Sequence, residues 1–236
     1  MAGSEPSSKR QRTAERRLRF ASICSSNMNR SMETHLQLEN NGFGVESFGT
    51  GTHVKLPGPS ADRPNIYDFG TPYSQILADL RAQDVALYTQ NGVLSMLERN
   101  VLIKPAPQTW KSAMDAAFGQ ASDAELCVDT GGVKPGQFDV ILTFEERVYD
   151  AVFESFQDLE CSNFSERAVH CINVEVKDSH EEALLGAQDA LDLCILLDGA
   201  EDLGDQLGEI VERWAERAST KRPGGRIKTF WHTFFY

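Results

Sequence analysis

Short apolar runs bounded by turn residues alternate along this chain with longer stretches whose apolar positions recur every three or four residues. Leu18 to Ile23 reads as a short buried strand and Ser31 to Asn40 as a helix, with Asn41-Gly42 supplying a left-handed C-cap. Phe43 to Gly49 reads as a second strand, which makes the opening segment a βαβ unit with a right-handed crossover. His53 to Phe69 holds too many prolines for a core strand; two short β pieces around Pro57-Gly58-Pro59 predict an exposed hairpin. Thr71 to Gln83 and Asn91 to Asn100 follow with helical spacing. Residues 105–137 lose periodicity and contain Pro105, Pro107, Gly131-Gly132 and Pro135-Gly136, which predicts a surface insertion.

Beyond it, FDVILTF from Phe138 is a third core strand, and EERVYDAVFESF carries Val148, Val152 and Phe156 at helical spacing. Ala168 to Val176 is a fourth strand. Two long helices, HEEALLGAQDALDLCILL and EDLGDQLGEIVERWAERAS, are separated by Asp198-Gly199, and RIKTFWHTFFY has the aromatic and β-branched content of a closing strand. That order predicts an α/β fold of three layers around a mostly parallel sheet, without internal repeats.

Composition narrows the setting. A chain of 236 residues, 41% hydrophobic and 25% charged, supports one globular domain. No apolar run is long enough to span a bilayer, and the N-terminus has no apolar signal region, so a soluble protein outside the secretory route is expected. Five cysteines, at 24, 127, 161, 171 and 194, form no CxxC pair; reduced thiols in a cytosolic or nuclear setting fit best, and no metal site is indicated. Residues 1–19 hold six basic and two acidic side chains, so a net charge of −12 leaves −16 on the remainder. An acidic body of that size argues against direct nucleic-acid binding. Residues 1–17 read as a disordered basic leader and 18–236 as the single domain; KRQR with ERRLR fits a nuclear import signal or a solvated tail equally well.

The chemistry concentrates in CSSNMNRS. A Cys-x5-Arg match arises by chance in roughly 0.3 of chains with this many Cys and Arg, so the spacing alone is weak and its placement decides. Ligands of open α/β sheets bind at the carboxyl ends of strands, where Cys24 would sit, and Ser25, Ser26, Asn27, Met28, Asn29 and Arg30 lead into a helix N-terminus suited to phosphate. The loop lacks glycine, and Asn27 and Asn29 are the residues that tolerate positive φ in its place. A helix N-terminus and a guanidinium both favour a nucleophilic thiolate. The planar fork of Arg30 matches two phosphoryl oxygens, and Ser31 can donate its hydroxyl to the sulfur as it leaves.

CSSNMNRS, with FGTGTHVKLPGP, PNIYDF, LYTQNG, FDVILTFEERVYDAV and NVEVKDSHEEALLGA, resembles the RNA polymerase II carboxy-terminal-domain phosphatases of the messenger-RNA 3′-end processing machinery. These are cysteine phosphatases akin to low-molecular-weight tyrosine phosphatases, and the resemblance spans about residues 18–236. It implies a five-stranded, low-molecular-weight phosphotyrosine phosphatase-like sheet with an added two-stranded hairpin. It implies Cys24 as nucleophile, Arg30 as phosphate ligand, Asp178 as general acid and no cofactor, with Glu175 where relatives often carry a second Asp and Met28 where a polar residue is common. The implied substrate is phosphoserine followed by a cis proline in the polymerase tail, bound against Lys55, Leu56, Pro57, Tyr88 and Met96. The implied partner is a symplekin-type scaffold, and the implied location is the nucleus. Two rivals share the motif or its ligand: a tyrosine phosphatase or arsenate reductase of the same fold, the latter needing a resolving cysteine such as Cys171 or Cys194, and a non-catalytic phosphopeptide-binding module.

Overall fold

The computed structural model describes residues 17–60, 62–118, 137–160, 167–222 and 227–235. The leader through residue 16 and the thiols Cys127 and Cys161 lie outside them. The first strand, β1 (Arg19–Cys24), leads into helix α1 (Arg30–Asn40) and strand β2 (Gly44–Gly49). The hairpin is β3 (Val54–Ser60) with β4 (Arg63–Tyr67), followed by α2 (Tyr73–Gln90), α3 (Val93–Ile103) and α4 (Trp110–Phe118). The second half runs β5 (Val140–Thr143), α5 (Glu146–Glu160), β6 (Ala168–Val174), α6 (His180–Asp198), α7 (Leu203–Lys221) and β7 (Thr229–Phe235).

The main sheet has the order β2-β1-β5-β6-β7, with the antiparallel hairpin β3-β4 separate. The first four strands are parallel and β7 pairs antiparallel with β6, so the predicted three-layer, mostly parallel architecture holds. From β1 the chain moves to one side for β2 and to the other for β5, which puts the carboxyl end of β1 at a topological switch point, where open α/β sheets form their ligand crevice. Alternating side chains supply both faces. Phe20, Val140, Leu142 and Ile172 pack with Leu38, Leu193 and Trp214, whereas Ala21, Ile23 and Ile141 pack with Phe48, Val152, Phe156 and Phe234. A third cluster joins Leu56 of the hairpin to Tyr73, Leu80, Tyr88 and Leu97 of α2 and α3. None of the described helices is long and apolar enough to cross a membrane.

Three differences from the sequence reading have clear causes. The stretch 105–137, read as a surface insertion, begins with α4, whose Trp110 is buried against Phe48 and Phe138 and donates its indole N–H to Ser155 Oγ at 2.9 Å. The prolines that masked this helix precede it, and the remainder of the stretch from residue 119 lies outside the described residues. The helix beginning near Thr71 continues past Gln83 to Gln90 through a break at Asp84 (φ −163, ψ 96), whose carboxylate caps the next turn by accepting from Leu87 N at 2.9 Å. Arg17, assigned to the leader, belongs to the folded body. Its guanidinium donates to the carbonyls of Asn41 and Gly42 beyond α1, pairs with Asp198 and covers the Phe43 ring, a cation placed where a helix C-terminus favours one. Gly42, at φ +75, is the left-handed residue of that cap.

Candidate active site

Strand β1 ends at Cys24, helix α1 begins at Arg30, and the five residues between form a loop over the helix N-terminus. Asn27 is the sole non-glycine residue with positive φ (52°) among the described residues. Its buried side chain explains why Asn serves there. Nδ2 donates to Ser31 Oγ at 3.1 Å, Oδ1 accepts from Gln108 N at 3.0 Å, and its carbonyl accepts from Tyr73 OH at 2.7 Å. Asn29 was expected to share this conformation and does not, having φ −110.

The glycines that the loop lacks lie on the segment leaving β2. Cys24 O and Ser25 O accept from Thr50 N at 3.1 Å and Gly51 N at 2.8 Å. A Cβ at Gly49 would stand 2.7 Å from Ser25 O and 2.8 Å from the Phe69 ring, closer than packing allows. Gly49→Ala is therefore expected to displace the loop, costing about 1–3 kcal/mol of stability and lowering Tm by several degrees, with a fall in any activity that depends on the loop. Thermal unfolding and steady-state turnover measured on one preparation check this; an unchanged rate would mean that the loop tolerates the shift.

Ser31 Oγ lies 3.1 Å from Cys24 Sγ. Because Asn27 Nδ2 can only donate to that oxygen, the Ser31 hydroxyl hydrogen is free to point at the sulfur, which suits a thiolate. Arg30 is 3% exposed; Nη1 donates to Val176 O at 2.9 Å and Phe144 O at 3.3 Å, and Nη2 lies 3.4 Å from both Glu145 Oε1 and Asp178 Oδ2. Its Nε is buried without a partner, a donor that a phosphoryl oxygen in the cradle would satisfy. Asp178 Oδ1 accepts from Asn29 Nδ2 at 2.9 Å, which brings the acid candidate to the same loop as Cys24.

A cleft of about 280 Å³ opens over these groups, with Cys24, Ser26, Met28 and Asn29 at its base. Lys55, Leu56, Pro57 and Met96 line it together with Val93, and Asp178, Ser179 and His180 complete it. Tyr88 stands apart from the wall on which it was expected. It is 1% exposed beneath the hairpin and bonds to Asn65 at 2.8 Å, and Asn65 in turn donates to Pro57 O at 2.9 Å, so Tyr88 braces the wall from behind. Glu175 also lies off the cleft lining, accepting from Asn173 Nδ2 at 3.3 Å; the second carboxylate beside Arg30 is Glu145.

Sequence reasoning missed the groups that hold the loop from outside. Arg99 Nη2 and Asn100 Nδ2 each donate to Met28 O at 2.8 Å, and Arg99 pairs with Glu33 in the first turn of α1. Lys104, pushed down to about 7 by burial against a weaker opposing pull from Glu46, donates to Ser47 O and to Gln108 Oε1, whose backbone holds Asn27. His35 is pushed down to about 4 by burial and then by Lys104. No local signal marks these residues, since their partners are distant in sequence. The free thiols Cys171 and Cys194 are fully buried and burial pushes both up, so neither is a reactive resolving thiol.

A family model described as Ssu72-like protein matches residues 18–223. The human RNA polymerase II C-terminal domain phosphatase SSU72 is 44% identical over 216 residues, 92% of this chain and 95% of the relative. Its Dictyostelium discoideum counterpart is 38% identical over 219 residues, 92% and 89% of the two chains. Among solved structures, the serine phosphatase of the RNA polymerase II C-terminal domain from Drosophila melanogaster superposes with a TM-score of 0.75 at 40% identity, covering 93% of this chain and all (100%) of that one. A second, D. melanogaster Ssu72 with Symplekin bound to a cis peptidomimetic phosphoserine peptide of the polymerase C-terminal domain, gives 0.73 at 38% identity, covering 93% and 99%.

Proposed function

The chain belongs to the Ssu72 family and is a phosphatase acting on phosphoserine, and from that premise we propose that it removes phosphate from phosphoserine-proline sites of the RNA polymerase II tail through a phosphocysteine intermediate, without a metal. The observation that carries this reading is that Cys24 and Asp178 line one cleft, with Arg30 Nη2 3.4 Å from Asp178 Oδ2 and Ser31 Oγ 3.1 Å from the sulfur. Phosphate enters the cradle of Ser25 to Arg30, where backbone N–H groups and the α1 dipole meet its charge and Arg30 takes two of its oxygens. The Cys24 thiolate attacks phosphorus in line as the S–P bond forms and the P–O bond to serine breaks, and Asp178 gives its proton to the departing oxygen. Asp178, now ionised, then takes a proton from water as that water attacks the phosphocysteine; the sulfur leaves as thiolate, stabilised by the Ser31 hydroxyl. Phosphate departs and the site is restored.

Lys55, Leu56, Pro57 and Met96 form the wall for the residues after the phosphoserine, with the following proline in cis, as in the peptidomimetic bound to the Drosophila relative. A symplekin-type scaffold is the matching partner, and a substrate carried by RNA polymerase II supports a nuclear site of action in mRNA 3′-end processing. The test exploits slow isomerisation. In a flexible peptide the cis X–Pro form is roughly 10–30% of the total and exchanges over tens to hundreds of seconds. With enzyme in excess, phosphate release is expected to be biphasic, a fast phase equal to the cis fraction and a slow one at the isomerisation rate, merging when a phosphoserine-specific prolyl isomerase is added. One fast phase consuming all the peptide would refute cis selection.

A further inference from the structure

We propose that the side chain of Asn29 is the positioning group for the acid Asp178, a role that rests on the reading of Asp178 given above. Asp178 is contributed by the stretch before α6, and its side chain is 59% exposed, so local packing does little to fix its rotamer. What fixes it is the phosphate loop. Asn29 Nδ2 donates to Oδ1 at 2.9 Å across 149 residues, and Arg30 Nη2 approaches Oδ2 at 3.4 Å.

The two contacts are unequal. The Arg30 distance is long for a charge-assisted bond, and a bound phosphate competes for the same guanidinium. Asn29 has no competing task. It occupies the N-cap position of α1 yet makes no side-chain capping bond, and its Oδ1 is buried without a partner. With substrate bound, the amide is the group that still aims the carboxyl.

Residue type supports the assignment. A neutral amide donating to Oδ1 leaves Oδ2, once Arg30 turns to the bound phosphate, to carry the proton toward the serine oxygen, because a protonated carboxyl keeps an acceptor oxygen beside its O–H. A second cation at that place, added to Arg30, would favour the carboxylate further at the expense of the proton the acid has to give.

The test compares Asn29→Ala and the near-isosteric Asn29→Leu, each alone and combined with Asp178→Asn, on a phosphoserine-proline peptide and on an aryl phosphate. Alone, both are expected to lower kcat on the phosphoserine peptide by ~10–10²-fold, the scale of a misplaced catalytic group, and by less on the aryl phosphate, whose leaving group needs no proton. In the Asp178→Asn background the same changes are expected to add at most about threefold, because the two side chains act as one unit. A merely structural residue would lower both substrates equally and add its full loss to Asp178→Asn; that pattern overturns the proposal. If Asp178→Asn is impaired while both Asn29 variants behave as wild type, this inference alone falls. If Asp178→Asn itself retains full activity, the acid assignment falls and carries this inference with it.

Discussion

Replacing Cys24 by Ser is expected to abolish turnover of a phosphoserine peptide, by ~10⁴-fold or more, while leaving the peptide bound. An alcohol in this cradle is not deprotonated near neutrality, so the attacking anion is lost. The binding apparatus is untouched by the change. Asn27 still holds Ser31 and Gln108, Arg99 and Asn100 still hold Met28 O, and Arg30 still presents its fork. Calorimetric titration with the phosphopeptide and single-turnover phosphate release separate the two effects. Undiminished turnover would remove Cys24 from the chemistry. An EDTA arm belongs in the same experiment, because full inhibition restored by a divalent ion would overturn the metal-independent mechanism.

Asp178→Asn is expected to slow phosphate transfer from serine by ~10²–10⁴-fold, the usual scale of general acid catalysis, and transfer from an aryl phosphate by much less. A serine alkoxide is a poor leaving group without a proton, whereas a phenolate leaves unaided. Asn matches Asp in shape, so the loop before α6, anchored by Ser179 Oγ accepting from Glu182 N at 3.3 Å, has no reason to move. Equal losses on the two substrates would make Asp178 structural. No loss on either would move the acid elsewhere, and Glu145, already 3.4 Å from Arg30 Nη2, is then the carboxylate to test.

Much of this was legible because the relevant signals are local. Cys24, Asn27, Arg30 and Ser31 fall within eight consecutive residues, so a strand end, a loop and a helix start suffice to place them together. The hairpin announced itself through its prolines, with Val54 paired to Tyr67 and Lys55 to Ile66. Pro57-Gly58-Pro59, however, expected between the two strands, lies inside β3 where the register shifts between Leu56 and Ser60, because an edge strand with an irregular ladder tolerates residues that cannot donate. Where the reading went astray, local cues pointed the wrong way. Prolines hid α4, whose Trp110 is a core residue; Tyr88 shares a segment with groove residues but turns inward; and Asn29, read as a stand-in for glycine, keeps an ordinary φ and uses its amide on Asp178.

By itself the sequence determined the order of the elements, the two-sided apolar pattern of β1 and β5, and the thiol and guanidinium at the ends of one loop, because each depends on residues a few positions apart whose side-chain period is set by backbone geometry. Only the tertiary structure decided what holds that loop and arms it. Tyr73 reaches Asn27 across 46 residues, Arg99 reaches Met28 across 71, Gln108 reaches Asn27 across 81, and Asn29 reaches Asp178 across 149. Hydrogen bonds of that span follow from which side of β1 each later strand and helix packs, and the strand order that settles it is a property of the assembled sheet that no stretch of the chain carries alone.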